Sequence, residues 1–192
     1  EVAKKLAEES AAEVEALFDD NTRMAFITAG MGGGTGTGAA PVVARIAKEK
    51  GVLTVGIVTI PFLFEGEPKI LQAFAGVEEM RKHVDALLVI NNERLCKIYP
   101  DLSWTTAFAK ADDSLSNAAR SIAELVSKDG KINLDFADVR TTLKDGGAAV
   151  ISTGSGEGEH RMSRAIQNAL TSPLLKESDI YGAERVLFNL YF

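Results

Sequence analysis

Between Gly32 and Gly38 every residue is glycine or threonine, in the order Gly-Gly-Gly-Thr-Gly-Thr-Gly. Glycine has no side chain to bury and loses the most backbone entropy on ordering, so a packed core has no use for such a run. Bare backbone is useful where successive amides must close on an anion, and Thr35 and Thr37 add hydroxyl donors. Between a strand and a helix, the run predicts a phosphate site, because a helix N-terminus offers unpaired N–H groups and positive partial charge. A turn without a ligand is the alternative, but five glycines are more than a turn requires.

Two familiar phosphate loops fit poorly. A Walker loop needs Lys and then Ser or Thr after its last glycine, whereas Gly38 is followed by Ala39, Ala40 and Pro41. The dinucleotide pattern G-x-G-x-x-A occurs as Gly34, Gly36 and Ala39. It also predicts an acidic residue at the end of the next strand, which here ends in Thr59 and Ile60. A nicotinamide oxidoreductase therefore rests on those three residues alone. A second constellation is "NLDFADV", with Asn133, Asp135 and Asp138. The carboxylates could move a proton or position a water. Equally, Asn133 or Asp135 could cap a helix through "FADVRTTL", and on spacing alone the cap is the better reading.

The elements that must hold these residues follow from periodicity. "EVAKKLAEESAAEVEALF" reads as a helix, with Val2, Leu6, Val14, Leu17 and Phe18 at helical spacing. "RMAFITA" (23–29) is a short strand, and "APVVARIAKEKG" a helix with Pro41 in its first turn and Gly51 at its end. "VLTVGIVTI" (52–60) is nearly all apolar and β-branched, as a strand buried on both faces should be. "PFLFEGEP" reads as a loop, Ile70 to Met80 as a helix and "DALLVINN" (85–92) as a third strand. That alternation predicts a parallel sheet covered by helices on both faces. A long helix is expected from about Leu102 to Val126, with Phe108, Leu115 and Ile122 in one row and Ala111, Ala118 and Leu125 in another. Then "GGAAVISTG" reads as a strand, "GEHRMSRAIQNALTS" as a helix and "GAERVLFNLYF" as a strand.

The composition is that of an ordinary globular protein, 46% hydrophobic and 25% charged over 192 residues. A net charge of −6 without a basic block argues against a nucleic-acid binder. With two histidines, a histidine-rich metal site is not expected, and the single Cys96 excludes an internal disulfide and reads as packing. No apolar run nears the ~20 residues that cross a bilayer, so direct membrane insertion is not expected.

The glycine run resembles the signature of the tubulin superfamily. "AGMGGGTGTGAAPVVA", "TIPFLFEG", "INNERL", "FAKADDSL" and "INLDFADV" are similar, in order and spacing, to the motifs of the FtsZ family of bacterial cell-division GTPases, and "SPLL" also falls in place. The resemblance covers essentially the whole chain. It implies an α/β fold: a Rossmann-like GTPase domain of the tubulin/FtsZ type at residues 1–101, a central helix at 102–128, and the start of a second α/β domain at 129–192.

It further implies that Gly32, Gly33, Gly34, Thr35, Gly36, Thr37 and Gly38 carry the triphosphate of GTP. Thr59, Pro61, Glu65 and Lys69 would lie near ribose and phosphates, and Asn92, Phe108 and Asp112 would form the guanine pocket. Phe108 and Asp112 are four apart and share a helix face, as stacking plus edge recognition requires, although core packing suits Phe108 equally. Asp113 reads as a solvated neighbour. Asn133, Asp135 and Asp138 would enter the nucleotide site of the next subunit in a head-to-tail filament and orient the attacking water, with Mg²⁺ on the phosphates. The implied setting is the cytoplasm at the division site, among other division proteins.

Three positions depart from the commoner family pattern. Ile60 and Lys69 stand where arginines are frequent, and Asn91 replaces a proline. Lysine is a point charge rather than a bidentate fork, so a weaker phosphate contact is expected at Lys69. The chain starts without methionine, and the family carries further strands and a first glycine-rich loop ahead of that point, then more of the second domain beyond Phe192. A fragment is therefore the expectation, binding GTP poorly alone, and a non-catalytic interaction module stays open as an alternative.

Overall fold

The computed structural model describes residues 1–101, 103–127, 135–171 and 182–188. Four parallel strands lie side by side in chain order: β1 (Met24–Gly30), β2 (Leu53–Ile60), β3 (Ala86–Asn91) and β4 (Gly147–Ala149). Every residue of β2 is buried, as its β-branched run predicts. Val58 and Ile60 face a cluster with Ala44, Ala73 and Met80. Val55 and Ile57 face the opposite way, onto Leu88, Ala118 and Ile122. Helices α3 (Gly34–Glu49) and α4 (Glu67–His83) thus cover one face of the sheet, and α6 (Trp104–Ser127) covers the other.

The edge where the strands begin is pinned by Asp85, whose side chain is buried. Its carboxylate accepts the Thr54 N–H at 2.9 Å and lies 3.6 Å from the Lys48 ammonium. Its carbonyl accepts the Gly147 N–H at 3.0 Å, which ties β4 to the start of β3. A buried carboxylate is tolerable only when satisfied in this way.

Several expectations are corrected. The first helix breaks at Ser10 into α1 (Val2–Glu9) and α2 (Ala11–Ala16). It docks through small residues: a Cβ on Gly38 would lie 3.3 Å from that of Ala3, while Val2, Leu6 and Leu17 stay exposed. Pro41 is inside α3 rather than in its first turn, because the helix already begins within the glycine run at Gly34. Gly51 does terminate that helix, with φ at 76°. The "PFLFEGEP" segment contains a 3-10 turn, Leu63–Glu65, closed by the Glu65 carboxylate accepting the Phe62 N–H at 2.9 Å.

Farther along, α5 (Glu93–Ile98) precedes α6, which starts at Trp104. The Ser103 hydroxyl accepts the Thr106 N–H at 3.4 Å there, as an N-cap does. Helix α7 (Phe136–Leu143) follows, and the strand expected over 146–154 is only three residues long. The expected C-terminal strand is not formed over 182–188. A strand needs a ladder partner, and Arg185 instead turns its guanidinium onto the carbonyls of Thr141 and Lys144 at the end of α7. The helix expected over 158–172 is α8 (Arg161–Leu170).

Candidate functional site

Parallel strands all end on one edge. Gly30 pairs with Thr59 and Ile60 with Asn91, so Met31, Pro61 and Asn92 leave the sheet side by side. That edge is where open α/β sheets bind ligands.

The glycine run forms the tight β1–α3 junction. Met31 N–H donates to the Thr59 carbonyl at 2.9 Å, and Gly32 then turns at φ 94°, a conformation that suits glycine. A Cβ on Gly32 would also meet the Lys69 carbonyl at 2.7 Å and Pro61 at 3.0 Å, so two sequence-predicted residues pack directly on it. The Thr37 hydroxyl accepts the Gly32 N–H at 2.9 Å and keeps its own proton free to donate. Gly33 is the N-cap of α3 and can offer no side-chain cap, so the first amides of the helix lack partners from one. Nothing lies within 4 Å of a Cβ built on Gly33 or Gly34, and Thr35 is exposed. Gly36 differs: a Cβ there would lie 2.2 Å from the Gly30 carbonyl oxygen. The run therefore does two jobs, an open amide face at 33–35 and a tight fit at 32 and 36.

Two residues that sequence reasoning missed shape this junction. Gln72 of α4 donates to the Gly33 carbonyl at 3.4 Å. The peptide is trans, so fixing that carbonyl turns the Gly34 N–H to the opposite side. Gly76 lets α4 press on the loop, since a Cβ would come 2.7 Å from Thr37 Cγ2 and 3.0 Å from Met31 Sδ. A glycine in mid-helix, at a cost of about 1 kcal/mol against alanine, was the available signal.

The 61–69 segment closes one side. Pro61 and Thr59 are buried, and Glu65 couples two neighbours: beyond the Phe62 N–H, it holds the Lys69 ammonium at 2.6 Å. Phe62 and Phe64 stack at 4.9 Å, and Phe108 meets both edge-on at 5.4 and 6.0 Å. Phe108 remains 43% exposed. Packing and access to a ligand are thus compatible in this ring, which joins α6 to the site through the missed Phe64. Asp112, one turn on, is exposed, and Asp113 lies 3.6 Å from Lys110.

Asn92 is the most pointed feature. It is 5% exposed, and its side-chain oxygen has no hydrogen-bond partner. A buried unpaired polar atom costs about 1–3 kcal/mol. It sits at the end of β3, directly after Asn91, on the edge where the strands finish. Cys96 packs beside Phe62, Leu95, Ala107 and Ala111, as expected of a packing residue. Burial pushes its thiol up, with the Glu93 carboxylate adding to the effect.

The acidic constellation lies elsewhere. Asp135 is the N-cap of α7, its carboxylate accepting the Ala137 N–H at 3.4 Å, and Asp138 accepts the Asp135 N–H at 3.3 Å. This capping box is the arrangement that spacing favoured. Both side chains are exposed, while Asn133 falls outside the described residues. The guanidinium of Arg23 lies 3.9 Å over the Phe136 ring, and Arg23 immediately precedes β1. The Asp135–Asp138 turn is therefore at the starting edge of the sheet and the glycine junction at the finishing edge. Seven residues of β1 separate them, on the order of 20 Å. A cleft of about 540 Å³ between β3 and α6, lined by Asn91, Arg94, Tyr99 and Asn117 among others, includes none of the predicted site residues.

A parallel α/β sheet with a glycine-rich strand–helix junction defines a nucleotide-binding class of protein. Comparison with known families narrows this. Residues 1–100 match the Tubulin/FtsZ family GTPase domain, and residues 147–191 match the FtsZ family C-terminal domain. The chain therefore belongs to the Tubulin/FtsZ family of GTP-binding GTPases, and its likeness within that family is to FtsZ. It is 68% identical over 192 residues to the cell division protein FtsZ of Porphyromonas gingivalis, covering 100% of this chain and 42% of that protein. It is 46% identical to FtsZ 1 of Methanocaldococcus jannaschii, covering 98% of this chain and 51% of that one. An empty FtsZ dimer from M. jannaschii superposes with a TM-score of 0.85 at 47% identity, covering 91% of this chain and 50% of that chain. CetZ2 from Haloferax volcanii, a GTPγS-bound protofilament, shares the fold, with a TM-score of 0.70 at 24% identity over 88% of this chain and 53% of that chain. The chain spans about half the length of the curated relatives it matches. Family membership removes the oxidoreductase alternative.

Proposed function

We propose that this chain forms part of a GTP-hydrolysing protein that assembles head to tail, with each active site shared between two copies, and that it serves in bacterial cell division. The amides at Gly33–Thr35 and the hydroxyls of Thr35 and Thr37 receive the phosphates, with Lys69 nearby. Asn92, Phe108 and Asp112 receive guanine. A carboxylate accepts from the guanine N–H groups, an amide serves its remaining polar edge, and adenine would leave such groups unpaired.

The observation that carries the reading is the separation of the two constellations onto opposite edges of one sheet. One copy cannot bring Asp135 and Asp138 to its own glycine junction. A second copy stacked end-on does so, and such a heterologous contact does not close, so it propagates as a filament. Asp135 and Asp138 would then orient the attacking water. Mg²⁺ would be held by the phosphate oxygens, where it neutralises charge developed in phosphoryl transfer. Among the described residues no group of three or more His, Cys, Asp or Glu is placed to hold a metal ion. Among them too, no helix is long and apolar enough to cross a membrane. The proposed location is the cytoplasm at the division site, with other division proteins as further partners.

The test uses the full-length protein, with GTP-dependent sedimentation and phosphate release measured together. Turnover per subunit is expected to rise with protein concentration as filaments form. Asp138→Ala is expected to bind GTP normally and to lose turnover. Mixing it with a variant disabled at the glycine junction should restore part of the activity, because intact half-sites then meet. Concentration-independent turnover, or an active Asp138→Ala, refutes the shared site.

A further inference from the structure

We propose that Arg23 is a positioning residue for the Asp135–Asp138 turn, acting through the ring of Phe136. The inference rests on the hydrolytic reading of that turn. Phe136 is the first residue of α7 and stands between the N-cap Asp135 and its capping-box partner Asp138. The Arg23 guanidinium lies 3.9 Å from the centroid of its ring, which ties the turn to the residue that precedes β1. The contact is not a helix-dipole effect, because a cation at a helix N-terminus is disfavoured. It is the face of the ring that attracts the charge.

Arg23 is well placed to act as an anchor. Its own carbonyl accepts the Leu53 N–H at 3.1 Å, so the main chain beneath the guanidinium is fixed by β2. Replacing the side chain leaves that bond in place. Val139, fully buried, and Leu143 seat the body of α7 on the core, while the capping box, with bonds of 3.3 and 3.4 Å on an exposed turn, holds the two carboxylates only relative to each other. At its other end α7 is held by Arg185, which donates to the carbonyls of Thr141 and Lys144 at 3.0 and 2.8 Å. Arg23 completes the grip at the end that matters for chemistry. A group that must meet the nucleotide of another copy has to be held in place beforehand, since a displacement of about 1 Å can cost on the order of 100-fold in rate.

The experiment measures kcat and KM for GTP in the full-length protein, with the assembled fraction determined by sedimentation. Arg23→Ala is expected to lower turnover per assembled subunit by about two- to five-fold, the population shift an exposed cation–π contact can produce. KM and the assembled fraction should stay as in the parent, and the melting temperature should fall by no more than about 4 °C. Phe136→Leu should fall by a similar factor, and the double variant should be no worse than either single one. Arg23→Lys, which keeps a cation over the ring, should recover at least half of the loss. An unchanged kcat in Arg23→Ala, losses that multiply in the double variant, or Arg23→Lys as slow as Arg23→Ala overturns the inference. Asp138→Ala, run alongside, separates the two levels. If it stays active, the hydrolytic reading itself fails; if it is inactive while Arg23→Ala is unaffected, only the role of Arg23 fails.

Discussion

Replacing single glycines of the 32–38 run by alanine should separate stability from ligand binding, because the structure gives the glycines different surroundings. Gly34 and Gly36 both have ordinary helical backbone, so neither is strained by alanine as such. At Gly36 the new Cβ would stand 2.2 Å from the Gly30 carbonyl oxygen and 3.2 Å from its carbon. An acceptable contact needs roughly 1 Å more, and both atoms belong to main chain at the end of a strand. Overpacking of this kind costs about 1–3 kcal/mol, against about 0.5–1 kcal/mol returned by the better helix propensity of alanine. A 2.2 Å approach to main chain belongs at the upper end of that range, about 2 kcal/mol net, so Gly36→Ala should lower the melting temperature by about 4–8 °C, at 2–4 °C per kcal/mol for a domain of this size.

At Gly34 nothing lies within 4 Å, and the same helix gain is unopposed. Gly34→Ala should melt at the parent temperature or slightly above it. Its methyl group, however, leans toward the helix N-terminus and enters the space proposed for the phosphates. Loss of one charge-assisted hydrogen bond, about 1.5–3 kcal/mol, corresponds to about 10- to 100-fold weaker binding. The assay pairs thermal melting by circular dichroism with titration of a fluorescent GTP analogue into the full-length protein. Undiminished affinity in a stable Gly34→Ala would refute the assignment of the open amides to phosphate. A Gly36→Ala variant as stable as the parent would refute the packing reason for that glycine.

Asn92→Leu removes a buried oxygen that has no partner in the free protein, so stability should hold or rise while affinity for GTP falls at least ten-fold, as read by the same titration and melt. Burial raises the pKa of the Cys96 thiol, with the Glu93 carboxylate adding to the effect, and only a thiolate attacks a disulfide reagent. Its reaction with such a reagent at pH 7.5 should be slower than that of free cysteine, and unfolding in urea should restore it. The sign is that of a raised folded-state value: this contribution to stability is complete below the ordinary thiol range and is lost as pH climbs through the folded-state value.

What the sequence made legible was local. "VLTVGIVTI" could be read as a buried strand because both of its faces are covered, by α3 and α4 on one side and α6 on the other. The β1–α3 junction was legible because glycine in that number has few other uses. Pro41 misled because a proline usually opens a helix, whereas here the glycines are themselves helical and the helix begins seven residues earlier. Gln72 and Phe64 escaped notice because their roles depend on contacts between segments: Gln72 reaches the Gly33 carbonyl across 39 positions, and Phe64 meets a ring on α6. Residues 182–188 look like a strand from composition, yet a strand is defined by its neighbour, and composition does not name one.

The two readings of "NLDFADV" illustrate a more general point. Spacing favoured a helix cap, family likeness favoured hydrolysis, and the geometry makes the two compatible rather than exclusive. The capping box orients Asp135 and Asp138 and leaves both carboxylates exposed. An exposed, well-oriented acid is idle within its own copy but usable by a neighbour. On the proposed reading, a catalytic group held apart from its own nucleotide by the length of β1 acts only after assembly, and the polarity of a parallel sheet would be enough to make hydrolysis wait for the filament. No moving part is required for that delay. It follows that lengthening or tilting the interface between copies should slow turnover without touching nucleotide affinity, whereas changes at the glycine junction should weaken both.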